Sequence, residues 1–433
     1  MNLKNVKGTK DYLPEEQMLR NTIKRTCEET FEAYGCKPLE TPILNMYDLM
    51  TYKYGGGSEI LKEMYTLQDQ GNRELSLRYD LTIPFAKIVA MNPEIRLPFK
   101  RYEIGKVFRN GPIKQGRFRE FVQCDVDIVG VESVIAEAEL MVMALDIFNK
   151  LNLDVTIQYN NRKLLTGLLQ AIQIPESQLQ DVILSVDKLE KIGIDGVRND
   201  LMNREIQSET IDMLCKMLET CMSMPVSEFA KTFPNSLVKE GVTELQELQQ
   251  YLVALGVQSN TMFSPFLARG LTMYTGTIYE IFLTDGSITS SIGSGGRYDN
   301  IIGAFRNDNK SYPTVGISFG LDVIYTALIQ KERASSSIDI FIIPLGTQAQ
   351  CLKIAHTLRT NENFKIELEL ANRKLKRALN YANKENIPYV LIIGEEELNN
   401  DVAVLRNMKE GTEQMIPLAS IENGIFKQYL CVN

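Results

Sequence analysis

Apolar and polar residues alternate most clearly between Phe99 and Gly130, FKRYEIGKVFRNGPIKQGRFREFVQCDVDIVG. Two strand-like runs flank a tip holding Gly111, Pro112 and Gly116, which predicts a hairpin with a long loop. On the second run Glu120 is followed at every other position by Val122, Cys124, Val126 and Ile128, while Arg119, Phe121, Gln123, Asp125 and Asp127 point the other way. One face is therefore core, and the other offers amide and carboxylate groups. Arg109 closes the first run and shares its row with Gly105 and Glu103, so arginine, amide and acid converge on one sheet face, and Gly105 lets a ligand approach the backbone. A solvated face of a surface hairpin would show the same alternation. Lys114, Arg117 and Arg119 crowd the tip beside Arg109, an arrangement suited to a polyphosphate.

Elsewhere the pattern divides the chain. Residues 8–14 precede a helical segment through Tyr34, and YGCKPLETPILN reads as a short strand whose Pro42 confines it to an edge or an interface. In ELSLRYDLT, Leu75, Leu77, Tyr79 and Leu81 face one side and Ser76, Arg78, Asp80 and Thr82 the other. From about 161 to 258 the sequence is polar and helical, with long Leu/Ile spacing and few strand formers. Two glycine-rich stretches, SIGSGGRYDNIIGAF and PTVGISFGLDVI, follow, and a linker at Ser335–Ser337 ends the first domain. Beyond it, IDIFIIPLG and YVLIIGEEEL alternate with amphipathic helices, an α/β pattern with a mostly parallel sheet. On the helix after Ala371, Leu375, Ala378, Leu379 and Ala382 form the buried stripe, and Arg373, Lys376, Arg377 and Asn380 share another face. Solvent or an RNA would each suit that basic face.

Composition narrows the chemistry. At 433 residues, 44% hydrophobic and 24% charged, the chain has the make-up of a soluble protein of two or three domains. It lacks a signal-peptide core and a membrane span, so the cytoplasm is the expected location. Its seven cysteines form no CxxC pair, and reduced thiols rather than a zinc site are expected. The single histidine, His356, falls off the apolar stripe of Cys351, Ile354, Ala355 and Leu358, as a surface residue would. Histidine-based triads and multi-histidine metal sites are thereby set aside, leaving carboxylates, arginines, amides and substrate groups, with no protein-held metal expected. A net charge of −8 argues against nonspecific coating of nucleic acid, though a local basic face permits a specific RNA partner.

The run Phe-Arg-Asn, Gly-Arg-Phe-Arg-Glu-Phe and Gln-Cys-Asp-Val-Asp, within 108–127, resembles the second signature motif of class II aminoacyl-tRNA synthetases in its histidyl-tRNA synthetase form. The resemblance extends along nearly the whole chain, in family order. It implies an α+β catalytic domain with an antiparallel sheet (the class II synthetase fold) over 1–334, carrying a helical insertion at about 161–258 that clasps the tRNA acceptor arm. An α/β anticodon-binding domain over 335–433 follows, with Arg373, Lys376 and Arg377 as tRNA contacts. Pro42 falls in the motif of the homodimer interface. RYDLT is similar to the eukaryote-like branch, so Asp80 and Thr82, with Gln123, would hold the α-ammonium of L-histidine. LARGLTMYTGTIYE resembles the histidine-specific signature: Arg269 would bridge the substrate carboxylate and the α-phosphate, and Tyr274 would line the imidazole pocket with Asp127 accepting an imidazole N–H. Arg109 would join Arg269 as a catalytic cation on the α-phosphate, and ATP, Mg²⁺ and tRNA-His complete the implied set.

Three positions, in two stretches, depart from the family. Thr272 and Met273 stand where Asp-Tyr is usual, and Asp322 is followed by Val323 where an arginine is usual, which leaves Arg117 to hold the outer phosphates of ATP. Met273 and Val323 favour an alternative, a synthetase-like regulatory protein such as the regulatory subunit of ATP phosphoribosyltransferase. Arg109, Arg269 and the C-terminal domain oppose it.

Overall fold

The computed structural model describes residues 3–52, 59–114, 116–269, 273–308, 310–329 and 338–430. Two compact units divide the chain, Met1–Glu332 and Arg333–Asn433. The Ser335–Ser337 linker and Thr272 lie outside the described residues.

In the first unit the helix Pro14–Ala33 opens with a proline at its start and Glu15 and Glu16 in its first turn. A missing N–H costs nothing there, and acids complement the positive end of the helix dipole. Ile23, Cys27 and Phe31, spaced by four, bury one stripe of it. The chain then contributes strands β1 (Lys37–Pro38), β2 (Leu44–Met46), β3 (Thr66–Gln68), β4 (Glu74–Leu77), β5 (Phe99–Phe108), β6 (Glu120–Val129), β7 (Val155–Asn161), β8 (Thr261–Phe263), β9 (Thr277–Leu283), β10 (Gly293–Arg297) and β11 (Thr314–Gly320). Eight of them form one sheet in the order β1-β5-β6-β11-β10-β9-β7-β8, and β2-β4-β3 form a small second sheet. The large sheet is antiparallel except at its borders, where β1 pairs with β5 and β7 with β8 in parallel.

The β5–β6 hairpin is present, and its alternation is as the sequence reads. Cys124, Val126 and Ile128 enter the main core with Phe319 and Ile317 of β11, covered by the helices Pro14–Ala33, Ile135–Lys150 and Leu321–Ile329. Two expectations fail nearby. Pro42 lies between β1 and β2 and in neither strand. β4 stops at Leu77, so Asp80 and Thr82 are not strand residues; Thr82 opens the helix Thr82–Met91. The cause is local. Pro84 sits in that helix's first turn, where a backbone donor has no partner anyway, and the Asp80 carboxylate accepts the Ile83 N–H at 3.0 Å.

Six helices, from Arg162–Ala171 to Ser236–Ala254, leave the sheet after β7 and return at β8. The second unit holds β12 (Ile340–Leu345), β13 (Ile366–Leu368), β14 (Tyr389–Gly394), β15 (Val402–Asn407) and β16 (Glu413–Pro417), in the order β13-β12-β14-β15-β16. Only β13, β12 and β14 run parallel, because β15 and β16 follow through short reversals and pair antiparallel. Apolar side chains cover both faces of its central strands, with Ile340, Ile342, Leu391 and Ile393 in one cluster and Phe341, Ile343, Val390 and Ile392 in another. The basic face also changes. The helix starts at Leu375, so Arg373 precedes it, where Glu369 pairs with its guanidinium at 2.7 Å and Tyr381 stacks beneath it at 4.4 Å. Lys376 and Arg377 remain exposed. His356 is exposed on the helix Gln348–Asn361, and the six described cysteines are free and buried.

Candidate active site

Register gives the polar face of the sheet its content. Across β5–β6, Arg101 stands opposite Asp127, Glu103 opposite Asp125 and Gly105 opposite Gln123. On the other side of β6, Gly316, Ser318 and Gly320 of β11 face Asp127, Asp125 and Gln123 in turn. The side chains that chemistry needs come from β6, and the neighbouring strand supplies the room. A Cβ on Gly316 would lie 2.0 Å from an Asp127 oxygen, so glycine is what lets that carboxylate lie across the strand.

Asp127 is buried and held from two sides. Arg101 Nη2 lies 2.6 Å from one carboxylate oxygen, and the Tyr298 hydroxyl donates to the other. Arg101 is itself fully buried, stacked 4.5 Å over the Phe85 ring and donating to the Leu81 carbonyl. Losing one member of such a buried pair typically costs about 3–5 kcal/mol, so the carboxylate is fixed in place. Next to it, Arg78 pairs with Glu103 at 2.8 Å and donates to the carbonyls of Thr41 and Lys106 at 2.7 Å.

Gln123 donates to Ser318 Oγ at 2.6 Å and accepts from Arg109 Nη2 at 3.4 Å. Arg109 also donates to the Tyr79 carbonyl at 3.1 Å, with its guanidinium 4.2 Å from the Tyr79 ring and 5.1 Å from that of Phe121. Asp80 is close enough to help raise both Asp125 and Tyr274. On the far side of the face, Arg269 pairs with Glu280 of β9 and hydrogen-bonds Tyr274. Burial works against its charge, but Tyr274 and Glu280 outweigh that and hold it cationic. The two arginines thus flank a floor made of β6, β11 and glycine-rich β10.

Of the expected residues, Asp80, Gln123, Asp127, Tyr274, Arg109 and Arg269 gather around this floor. Thr82 is half-buried at its helix start. Arg117 stands exposed on the hairpin tip, where no acid pairs with it among the described residues. Val323 is buried in the main core, and a Cβ on Gly116 would come within 3.2 Å of its Cα, so the tip closes onto the start of the helix Leu321–Ile329. Asp322, left without its neighbouring arginine in sequence, is met by Arg20, by the Tyr12 hydroxyl and by the Val122 N–H. Sequence reasoning missed Arg101, Tyr298, Arg20 and the part played by Asp125. Alternation placed Asp125 on the correct face, and the same period extended from Glu103 would have reached Arg101, but pairing them with partners required the hairpin register.

Asp125 is a strongly perturbed acid of the face. Burial pushes its carboxyl up to about 8, Arg101 pulls it down, and Asp127 and Asp80 push it further up. A raised folded-state value stabilises the protein at low pH, and that contribution is lost as the pH rises through about 8. The ligand-free protein is therefore expected to lose melting temperature relative to Asp125→Asn between pH 5 and 8, by roughly 3 °C per pH unit, in a calorimetric scan. Parallel curves for the two proteins would show that Asp125 ionises normally.

An antiparallel sheet that offers a carboxylate, an amide and two flanking arginines from one face is the catalytic architecture of the class II aminoacyl-tRNA synthetases. Residues 8–324 match the family model for histidyl-tRNA synthetase, and residues 339–428 match that for the anticodon binding domain. The chain belongs to the histidyl-tRNA synthetase family. It is 72% identical over 429 residues to histidine–tRNA ligase 1 of Bacillus cereus (strain ATCC 10987 / NRS 248), covering 99% of this chain and 98% of that one. A crystal structure of histidyl-tRNA synthetase from Nostoc sp. PCC 7120 superposes with a TM-score of 0.85 at 27% identity, covering 99% of this chain and 100% of that one. An ATP phosphoribosyltransferase regulatory subunit/histidyl-tRNA synthetase from Bacillus halodurans C shares the fold, at a TM-score of 0.75 and 19% identity over 91% of this chain and 99% of that one. Likeness at that identity speaks for fold alone, so the regulatory alternative gains nothing from it.

Proposed function

We propose that the chain condenses L-histidine with ATP to histidyl-adenylate and pyrophosphate, and then passes the histidyl group to the 3′ end of tRNA-His. The observation that carries this reading is the fixed Asp127 carboxylate. Arg101 and Tyr298 hold it in place on the sheet face, and a carboxylate is the acceptor that an imidazole N–H calls for. An apolar side chain in the same place would leave that buried acceptor unpaired, which is the kind of penalty that gives strong discrimination.

Activation needs position and charge more than a base. The substrate carboxylate is already ionised, so its attack on the α-phosphate requires in-line placement and cations where negative charge accumulates. Arg109 and Arg269 supply those, each oriented in advance by its own partners. Gln123 and Asp80 would orient the ammonium together with Thr82, and Tyr274 would wall the ring. Mg²⁺ would arrive on the triphosphate, whose oxygens are the hard donors it prefers. In the second step the terminal ribose hydroxyl attacks the acyl carbonyl and AMP leaves.

The homodimer and the cytoplasmic location belong to the same reading. Leu44 and Met46 are 46% and 49% exposed on edge strand β2, with Ile43, 41% exposed, just before it, an apolar edge that a second copy would cover. No helix of the described residues is long and apolar enough to cross a membrane.

ATP–pyrophosphate exchange across the amino acids tests the reading: exchange is expected with histidine alone. A chain that takes up histidine yet shows no exchange at saturating ATP and Mg²⁺ would be the regulatory protein instead. Arg117→Ala is expected to raise the KM for ATP about tenfold or more in that assay, on the scale of one lost charge-assisted phosphate contact. An unchanged KM would assign the outer phosphates to another group.

A further inference from the structure

Asp125 lies between the two residues expected to touch the ends of the amino acid. Gln123, Asp125 and Asp127 succeed one another on one face of β6, so a histidine reaching from the amide to the far carboxylate passes over the middle residue. Asp125 is 3% exposed, and one of its oxygens has no hydrogen-bond partner, the costly state of a buried polar atom. Its other surroundings are accounted for: Ser318 hydrogen-bonds it from β11, Glu103 stands opposite on β5, and Tyr298 is committed to Asp127. We propose, building on the reading of the face as a histidine site, that Asp125 is a second acidic contact for the amino acid and gives up its proton when the substrate's ammonium arrives.

The charge balance of the face favours this exchange. Two buried arginines, Arg78 and Arg101, already serve Glu103 and Asp127, and Asp80 adds a further acid. A fourth anion is poorly accommodated while the pocket is empty. The incoming ammonium adds the missing cation, and Arg101, whose Nε has no hydrogen-bond partner and whose Nη1 lies 3.7 Å from Glu103, already attracts the Asp125 carboxylate across the strand pair. The O–H bond of Asp125 breaks, its electron pair stays on the carboxylate, and the proton leaves to solvent; nothing is oxidised or reduced. Because burial holds the free carboxyl at about 8, release is expected to be nearly complete at neutral pH and to fade above it. Histidine then binds more tightly as the pH rises toward 8, and the dependence flattens beyond that.

Calorimetric titration of the full-length protein with L-histidine, repeated in buffers of different ionisation enthalpy, counts the protons. The difference between wild type and Asp125→Asn cancels the substrate's own titration, since both proteins bind the same molecule. The expected difference is about 0.9 proton released at pH 7 and about 0.5 at pH 8. The wild type alone gives a second readout, a release that falls with a midpoint near pH 8 and is needed if the variant does not fold. A wild type that exchanges pyrophosphate with histidine yet shows no such fall, or no difference from a folded Asp125→Asn, overturns the role of Asp125 alone. A wild type that neither binds nor activates histidine overturns the proposed function and this inference together.

Discussion

Replacing Arg269 by alanine is expected to slow histidyl-adenylate formation by roughly 10²–10³-fold, the usual consequence of removing one preorganised group from a developing charge. The chain holds this arginine at some expense. Burial disfavours its charge, and Glu280 and Tyr274 restore it, while Asp187 from the helical insertion is also close enough to feel it. The fold should survive, because the Glu280 side chain left behind is 17% exposed and water can reach it. Its loss of partner costs on the order of 1–3 kcal/mol. Arg269→Lys should fall between wild type and alanine, since an ammonium keeps the charge but not the planar fork that addresses carboxylate and phosphate together. Single-turnover adenylation, read beside a thermal melt, checks both variants. A folded Arg269→Ala that forms adenylate at a near-normal rate would remove Arg269 from the chemistry.

What was legible in the sequence was whatever a short stretch decides by itself. The two faces of β6 follow from period two, and Arg109, one residue past the end of β5, still pairs across the hairpin through its N–H to the Arg119 carbonyl. The same rule fails where the local period changes: alternation does not run through Asp80 to Thr82, because Pro84 marks a helix start, and the helical face does not reach back to Arg373, which Glu369 captures instead. Contacts between distant segments left no local trace. Val323 announced a missing arginine, but Asp322 is met by Arg20, 302 positions away, and no periodicity reports such a meeting. Asp127 was recognisable through its motif, whereas the Arg101 and Tyr298 that fix it depend on a register and a strand pairing that only the assembled sheet defines.

Ending the chain at Ala334 is expected to separate the two half-reactions. Every residue gathered around the sheet face lies in the first unit, and among the described residues its main core ends at Leu328, so histidine-dependent ATP–pyrophosphate exchange should persist within a few-fold. The second unit has clusters of its own and takes with it the exposed Lys376 and Arg377. Those cations sit on a face with no acidic partner among the described residues, the arrangement that binds phosphate by releasing counterions, so aminoacylation of tRNA-His should drop by roughly 10²-fold and its salt dependence should become shallower. Sedimentation of both chains controls for a change of oligomeric state on truncation. Lys376→Glu with Arg377→Glu in the full-length protein should reproduce part of the charging defect without touching exchange, because two repelling acids replace two attracting bases on a surface helix that packs through Ala378 and Ala382. Equal charging by the full and shortened chains, at matched oligomeric state, would show that this unit does not engage the tRNA.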